Sequence, residues 1–341
     1  MDIYSIGEMV IDFIPGEEKG SYIRNAGGAP ANVAIAAARN GLETGMCCKV
    51  GEDDFGKFLM ETLKKEGVRV MCRKRCEEAT TTMAFVSLKD DGERTFTFAR
   101  KPGADMFLKE FEVHFDINYR NLMWKDDKAS CAKALDEILD FVDILKISEE
   151  EVDMVGGEEN IENLMKEKNL TAVILTLGSK GAQVLFGNSI FTVGGRTVKA
   201  VDATGAGDAF WGGFLSSLLL QGVTRPEEIT EPILRKAMEY GNISGALCVQ
   251  KKGAISSLPT REEIEEIIGV NHYERNLERI LYPFTVSDLS GYVQSGTGSK
   301  DTGKSRDQNA SCRYPGWTFQ SEHAAGAGYS EAVTGKDRHV F

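Results

Sequence analysis

The sequence lacks paired cysteines, an excess of positive charge and long apolar runs, and each absence excludes a class of protein. Its seven cysteines are odd in number, show no C-x-x-C spacing and have no histidine nearby, so they indicate neither a disulfide framework nor a zinc site. The net charge of −12 argues against nucleic acid or an anionic membrane as partner. Without an apolar run of ~18 residues or the features of a signal peptide, the chain is expected in the cytoplasm.

The composition changes near Gly269. With 341 residues and 42% hydrophobic content, the chain can bury a sizeable core. Beyond Gly269 the sequence is rich in Gly, Ser and Thr, has as many acidic as basic side chains, and shows no sustained hydrophobic period. We therefore expect one domain over residues 1–269 and a disordered or poorly packed tail over 270–341.

A P-loop spacing occurs in that tail. The stretch GSKDTGKS, Gly298 to Ser305, fits G-x-x-x-x-G-K-[ST], but a P-loop needs a buried strand before it and a helix after it. Neither a β-branched apolar run nor a helical apolar stripe flanks this match. A flexible segment that matches by chance is the favoured interpretation.

Strand-like and helix-like segments alternate before Gly269. IYSIGEMVIDFI is predicted to be a strand, APANVAIAAARNG a helix, and TAVILTL a buried strand. This alternation is typical of an α/β fold, with a mostly parallel sheet covered by helices on both faces. Two β-rich runs joined by Asp91-Gly92 predict a hairpin, which we expect in a small antiparallel lid formed by strands within about 1–28 and 80–100.

One junction between an extended segment and a helix stands out as a phosphate site. In KAVDATGAGDAFWGG, an extended segment reaches Asp202, Gly205 to Gly207 allow a sharp turn, and an apolar helix is predicted from about Asp208. The N–H groups at a helix start and the helix dipole attract anions. A carboxylate there would accept a proton from an attacking hydroxyl. Asp208 could equally be a helix cap, and the local sequence leaves both open.

Other polar residues lie where strands end or helices begin, the edge at which open parallel sheets bind ligands. GGAPAN (Gly27 to Asn32), Asp12 in GEMVID, Arg120 in FDINYR and the glycines of TLGSKGA could all contact a phosphorylated or polyhydroxyl ligand. A plain helix start, an exposed strand residue or a β-turn explains each of them separately as well.

Taken together and in this order, residues 1 to about 268 resemble the ribokinase or PfkB family of carbohydrate kinases, and bacterial fructokinases most. The resemblance rests on GGAPANVA and on DATGAGDAF, which departs from the family pattern D-T-x-G-A-G-D only at Ala203. It implies a ribokinase-like fold and ATP-dependent phosphorylation of a sugar, with D-fructose favoured over 2-keto-3-deoxygluconate and ribose. It also implies a homodimer paired through lid edges.

The resemblance implies a role for each matching residue. The catalytic base would be Asp208, and the anion hole would be Gly205, Ala206, Gly207 and the amide of Asp208. The sugar would contact Asp12, Gly28, Asn32, Arg100 and Arg120. ATP would contact Asn118, Ser148, Thr176, Gly178, Gly181 and Asn242. Mg²⁺ would be held through water by Glu151, with Ser148 where the family has Asn, and K⁺ by Asp202, Thr204, Lys251, Gly253 and Ser257.

Two departures from the family leave a second hypothesis open. Glu110 runs directly into Phe111 where the family has a further βα unit of ~30 residues, and the tail resembles nothing in the family. Because losing a strand exposes apolar surface and unpaired edges, the chain could instead bind nucleotide and sugar without turnover. A nicotinamide dehydrogenase is a weaker alternative, since GAGDAF lacks the third glycine of G-x-G-x-x-G.

Overall fold

The computed structural model describes residues 1–18, 20–71, 75–88, 94–108, 142–269 and 284–287, with short stretches at 132–133, 135–136 and 139–140. All of these lie in one compact unit. Among them, no helix is both long and apolar enough to cross a membrane.

Strands and helices alternate along the chain. The strands are β1 (Ile3–Ile6), β2 (Val10–Pro15), β3 (Tyr22–Gly27), β4 (Thr44–Cys47), β5 (Arg69–Val70), β6 (Met83–Leu88), β7 (Arg94–Ala99), β8 (Ile144–Ser148), β9 (Ala172–Thr176), β10 (Gly181–Phe186), β11 (Ser189–Gly194) and β12 (Phe284–Ser287). The α-helices are α1 (Ala29–Arg39), α2 (Asp54–Lys65), α3 (Ile161–Lys168), α4 (Ala206–Leu220), α5 (Glu231–Cys248) and α6 (Arg261–Ile268).

The strands form three four-stranded sheets, ordered β12-β1-β4-β5, β8-β9-β10-β11 and β3-β2-β6-β7. Every pair in the first sheet is parallel, as is β8 with β9. In the third sheet, β2 pairs with β3 and β6 with β7 in antiparallel fashion, while β2 and β6 pair in parallel. The predicted α/β fold with a small lid is confirmed, but the lid is a mixed sheet rather than a wholly antiparallel one. The Asp91-Gly92 turn itself lies outside the described residues.

Helices cover both faces of the β8–β9 pair. Ile144 and Ile174 pack into one apolar core with α4 and α5, while Leu145 and Val173 pack into another with α3. Because successive side chains of a strand point to opposite faces, both faces of these strands must be apolar. This explains the continuous apolar run Ala172 to Leu175 in β9, whereas β8 carries the buried Lys146 between its apolar residues.

The prediction of one strand across IYSIGEMVIDFI is wrong. β1 ends at Ile6 and β2 begins at Val10, and the two belong to different sheets. Gly7 lies between them with φ of 143°, a conformation that residues with a side chain rarely adopt. The bend carries the chain from the parallel sheet into the lid.

The structure also differs from the expectation for the tail at four residues. β12 lies within residues 270–341 and pairs in parallel with β1. Its residues, FTVS, are aromatic, β-branched or small, which suits a strand, but four residues are too few to show a period. The P-loop match at 298–305 lies outside the described residues.

Asp53 connects α2 to the base of the lid. It is the residue before α2, and its Oδ1 accepts hydrogen bonds from the Gly56 N–H and the Thr81 hydroxyl, both at 2.7 Å. Its Oδ2 accepts from the Thr81 N–H at 2.7 Å. Partial burial raises the pKa of Asp53, but the hydrogen bonds from Thr81 and Gly56 outweigh this and hold the pKa below its usual value.

We expect Asp53→Ala to lower the free energy of unfolding by about 1–2 kcal/mol near neutral pH, because these donors lose their acceptor. Urea denaturation measures the change. Asp54→Ala, which removes an exposed carboxylate next in sequence, should change it far less.

The Asp53 contribution should also depend on pH. Because the folded pKa is lower than the unfolded one, the contribution is complete above the unfolded pKa of about 4 and is lost as the pH falls through the folded pKa. The stabilities of the wild type and Asp53→Ala should therefore converge in acid. A difference that stays constant as the pH falls would contradict the assignment.

Candidate active site

The candidate site lies at the N-terminus of α4. Gly205 is the residue before the helix, with φ of 78°, and α4 begins at Ala206. A Cβ on Gly205 would lie 3.0 Å from the Cβ of Ala254, so a larger residue would be both strained and crowded. Asp208 is the third residue of the helix, and no side chain caps it. The helix start predicted at Asp208 is two residues late, and Asp208 is not the N-cap residue.

The space beside this helix start is open. The first N–H groups of a helix have no acceptor within the helix. The Ala206 N–H donates to the Ala203 carbonyl at 3.2 Å, whereas a Cβ on Gly207 would meet no atom within 4 Å. The positive end of the α4 dipole therefore adjoins room for an anion.

Asn32 of α1 contacts Asp208 directly. Its Nδ2 donates to Asp208 Oδ2 at 2.7 Å, across 176 positions of sequence. Asn32 is only 4% exposed, and its Oδ1 is buried without a hydrogen-bond partner among the described residues. Buried polar atoms are normally satisfied, so this oxygen marks a place where a ligand hydroxyl would donate.

Asp202 joins the loop before α4 to the loop after α5. It is 3% exposed. Its Oδ1 accepts from the Thr204 N–H at 2.7 Å and its Oδ2 from the Gly253 N–H at 2.9 Å. Gly253 has φ of +87°. These two bonds hold the Asp202 carboxylate between the two loops.

Cys248 and Ser257 lie beneath these loops. The Ser257 hydroxyl donates to the carbonyls of Gly253 and Ala254, and it lies 3.0 Å from Cys248 Sγ. Burial raises the pKa of the Cys248 thiol to about 11, a rise that the Ser257 hydrogen bond opposes and the charges of Asp208 and Asp202 increase. The side chain of Lys251 pairs with Glu263 at 2.9 Å on the surface, so only its backbone could serve an ion in the loop.

On the predicted sugar side, two glycines let the backbone pass close to β2. A Cβ on Gly27 would lie 2.0 Å from Asp12 Oδ2, and one on Gly28 would lie 2.6 Å from the Glu8 carbonyl. Asp12 therefore lies directly over the chain that leads into α1 and Asn32.

On the predicted nucleotide side, Ser148 and Thr176 end the neighbouring parallel strands β8 and β9 and are register partners. Glu151 is 7% exposed, and its Oε2 accepts from both the N–H and the hydroxyl of Ser148 at 2.9 Å. Gly178 and Gly181, with φ of 54° and 100°, turn the chain between β9 and β10.

Asn242 and Arg100 have protein partners. Asn242 Nδ2 donates to the Val193 and Gly194 carbonyls at 3.0 and 3.3 Å, which holds the end of β11 against α5. Arg100 is buried and forms an ion pair with Asp105. Asn118 and Arg120 lie outside the described residues.

Sequence reasoning missed two residues of this region. Asp105 is 3% exposed and accepts from both Arg100 and the Thr82 hydroxyl, but no helical or strand spacing relates these three positions. Cys248 could not be singled out among seven cysteines, because its neighbours come from separate loops.

No group of three or more His, Cys, Asp or Glu side chains within the described ranges is placed to bind a metal ion. An ion near Glu151 or near the Asp202 loop would therefore need ligands from water, phosphate oxygens or backbone carbonyls. Mg²⁺ and K⁺ both accept such oxygen ligands.

The family model described as pfkB family carbohydrate kinase matches residues 1–118 and 108–261. The two matches overlap at residues 108–118, so the family pattern is interrupted around Glu110 and Phe111. This is where the sequence predicts a missing βα unit. The residues after 261, including β12, lie outside both matches.

Curated relatives cover the same part of the chain. A fructokinase of Escherichia coli is 32% identical over 306 residues, covering 77% of this chain and 98% of the relative. Fructokinase-2 of Oryza sativa subsp. japonica is 34% identical over 321 residues, covering 78% of this chain and 94% of the relative. Since 306 aligned positions exceed 77% of 341 residues, the Escherichia coli protein has residues for which this chain has none.

The chain is also similar to solved structures of fructokinases. A fructokinase of Vibrio cholerae O395, crystallised with fructose, ADP and a calcium ion, is 30% identical with a TM-score of 0.67, covering 78% of this chain and 98% of that one. A double mutant of it, crystallised with fructose, ADP and a potassium ion, has a TM-score of 0.68.

We expect Cys248 to resist iodoacetamide in the folded protein at a pH of about 8, because the thiolate is the reactive form and this thiol is buried with a raised pKa. Peptide mass spectrometry with and without urea measures the modification. Asp202→Asn removes one negative charge and weakens the bond to Gly253, so it should speed the reaction. Modification of native Cys248 as fast as in urea would contradict the described environment.

Proposed function

Because the chain belongs to the pfkB family of carbohydrate kinases, we propose that this sugar kinase phosphorylates D-fructose with ATP, giving fructose 6-phosphate and ADP. The observation that carries the proposal is the position of Asp208 at the open N-terminus of α4, held by Asn32 of α1. The choice of fructose rests on relatives named fructokinases and on the crystallised relative with fructose and ADP.

The proposed reaction is an in-line displacement at phosphorus. A carboxylate oxygen of Asp208 accepts the proton of the primary hydroxyl, and the hydroxyl oxygen forms a bond to the γ-phosphorus. The bond from that phosphorus to the oxygen bridging to the β-phosphate breaks, and ADP leaves with the electron pair. The amides of Gly205, Gly207 and Asp208 and the helix dipole stabilise the negative charge that develops on the phosphoryl oxygens. The Ala206 N–H, which donates to the Ala203 carbonyl in the structure, joins them by exchanging that acceptor for a phosphoryl oxygen.

The remaining predicted roles belong to this proposal. Asp12, Gly28, Asn32, Arg100 and Arg120 contact the sugar, and Asn32 Oδ1 accepts one of its hydroxyls. Asn118, Thr176, Gly178, Gly181 and Asn242 line the nucleotide site. The buried Glu151, held by Ser148, fits a role in fixing the water ligands of Mg²⁺, which neutralises phosphate charge when bound.

The Asp202 loop fits a monovalent cation site. Thr204 and the backbone carbonyls at Lys251, Gly253 and Ser257 would supply oxygen ligands beside the Asp202 carboxylate, and K⁺ prefers such ligands. When bound, the ion would lower the negative potential beneath the phosphoryl group.

Residues 1–269 contain all the predicted site residues of the kinase domain in this proposal. The exposed Tyr22 and Ile23 of the lid-edge strand β3 support a homodimer, because exposed apolar strand edges favour pairing.

We also propose that the protein works in the cytoplasm.

We expect Asp208→Asn to lower fructose-dependent ADP release by roughly 10²- to 10⁴-fold, the usual size of a general-base effect. The amide oxygen can still accept from Asn32, so the fold and ATP binding should persist. A coupled ADP assay measures the turnover, and the thermal shift caused by Mg·ATP measures ATP binding. Asp54→Asn, an exposed carboxylate in the first turn of α2, is the matched control and should keep wild-type turnover.

Turnover measured with three sugars distinguishes a fructokinase from other sugar kinases and from a binding protein. Fructose should be turned over faster than ribose and 2-keto-3-deoxygluconate. Stabilisation by ATP without turnover of any sugar would show a binding protein, and undiminished turnover by Asp208→Asn would remove Asp208 as the base.

We also expect the turnover to rise with K⁺ relative to choline at equal ionic strength, and Asp202→Ala to abolish this rise, because it removes the carboxylate that shapes both loops. Turnover measured over a series of KCl concentrations gives the size of this rise. Lys199→Ala, which removes an exposed side chain just before the loop, should leave the K⁺ dependence intact. A K⁺ response that survives Asp202→Ala would place the ion elsewhere.

A further inference from the structure

Strand β1 is buried between two parallel partners. Ile3 and Ser5 are both fully buried. On one side β1 pairs with β4, and on the other with β12, in the register Ile3 with Phe284 through Ile6 with Ser287. β12 also lies against α1. Without β12, the polar backbone groups on this edge of β1 would need another partner, since buried backbone groups are almost always paired.

β12 comes from outside the part of the chain that matches the family, which ends at residue 261. The family pattern is interrupted at residues 108–118, and the relatives have residues that this chain lacks. The chain therefore has fewer family residues to build its sheets with, and a segment of its own extension lies at one sheet edge.

The position of β1 affects the active site through α1. The Ser5 hydroxyl donates to the Pro30 carbonyl at 2.7 Å, and both groups are buried. Pro30 is two residues before Asn32, whose amide contacts Asp208. From its carboxyl end, β1 continues through the Gly7 bend to Asp12.

We propose that the C-terminal extension is a working part of the domain: its segment 284–287 completes the sheet at β1 and so fixes α1, with Asn32, against Asp208. The effect on catalysis rests on the proposed function, whereas the strand pairing does not. The partner of the β1 edge is thus a segment of this same chain, and neither a second copy nor another protein.

The first test is a disulfide between register partners in the full-length chain. Tyr4→Cys with Thr285→Cys places two thiols on paired residues of adjacent strands, whose Cα atoms lie about 4.8 Å apart, within disulfide range. After mild oxidation, peptide mass spectrometry should find the two introduced cysteines linked. Tyr4→Cys with Ser299→Cys, in the extension beyond β12, is the control. Linkage that is no greater than in the control would overturn the proposal.

The second test is a pair of proline substitutions. Successive N–H groups of a strand point to opposite sides, so one of Thr285 and Val286 donates toward β1 and the other away from it. Thr285→Pro and Val286→Pro should therefore differ in stability. The more harmful variant, which removes the N–H that donates to β1, should lower the melting temperature by at least about 3 °C. Ser299→Pro should leave it unchanged.

Activity is then compared across the same variants. If the wild type turns over fructose, the more harmful proline variant should lose most of that turnover. If it turns over no sugar, the proposed function fails, yet the disulfide and the melting temperatures still decide the strand pairing. Proline variants that all melt like the wild type would overturn the inference in either case.

Discussion

The close approach of α4 to its neighbouring helices is the constraint on which the site depends. A Cβ on Gly212 would lie 2.6 Å from the Cβ of Ala36 in α1, and one on Gly213 would lie 2.8 Å from the Cβ of Ser244 in α5. Only glycine allows backbones this near, and interiors packed at crystal-like density cannot absorb an added methyl group without shifting. Because α1 is held at this distance, the Asn32 amide reaches Asp208.

In the described part of the site, backbone amides supply the positive potential. A net charge of −12 repels a phosphorylated ligand at long range, so attraction must be local. The open start of α4 supplies it, while the buried carboxylate of Asp202 is compensated by the N–H groups of Thr204 and Gly253. The guanidinium of Arg100 is paired with Asp105, so it adds no net positive charge for a phosphate.

The sequence predicts an element correctly where the signal for that element is local or periodic. A continuous apolar run predicted β9, and the glycines before Asp208 marked the helix start to within two residues. Contacts between distant segments left no such signal. The Asp53 bond to Thr81, the Asp105 ion pair and the contact of Cys248 with Ser257 each join separate elements. The bend at Gly7 was missed because the apolar residues on either side of it read as a single strand, and β12 because four residues carry no period.

The replacement of the family's Asn by Ser148 can be judged from its contacts. An Asn at the end of β8 would offer an amide donor to Glu151, and Ser148 offers both its hydroxyl and its backbone N–H to the same Oε2, each at 2.9 Å. Two donors on one oxygen fix the direction of the carboxylate, which is what an indirect metal contact through water requires. Ser has the shorter side chain, and the local turn that brings the Glu151 N–H to the Ser148 carbonyl at 3.0 Å makes up the lost reach. The substitution therefore keeps the Glu151 carboxylate oriented.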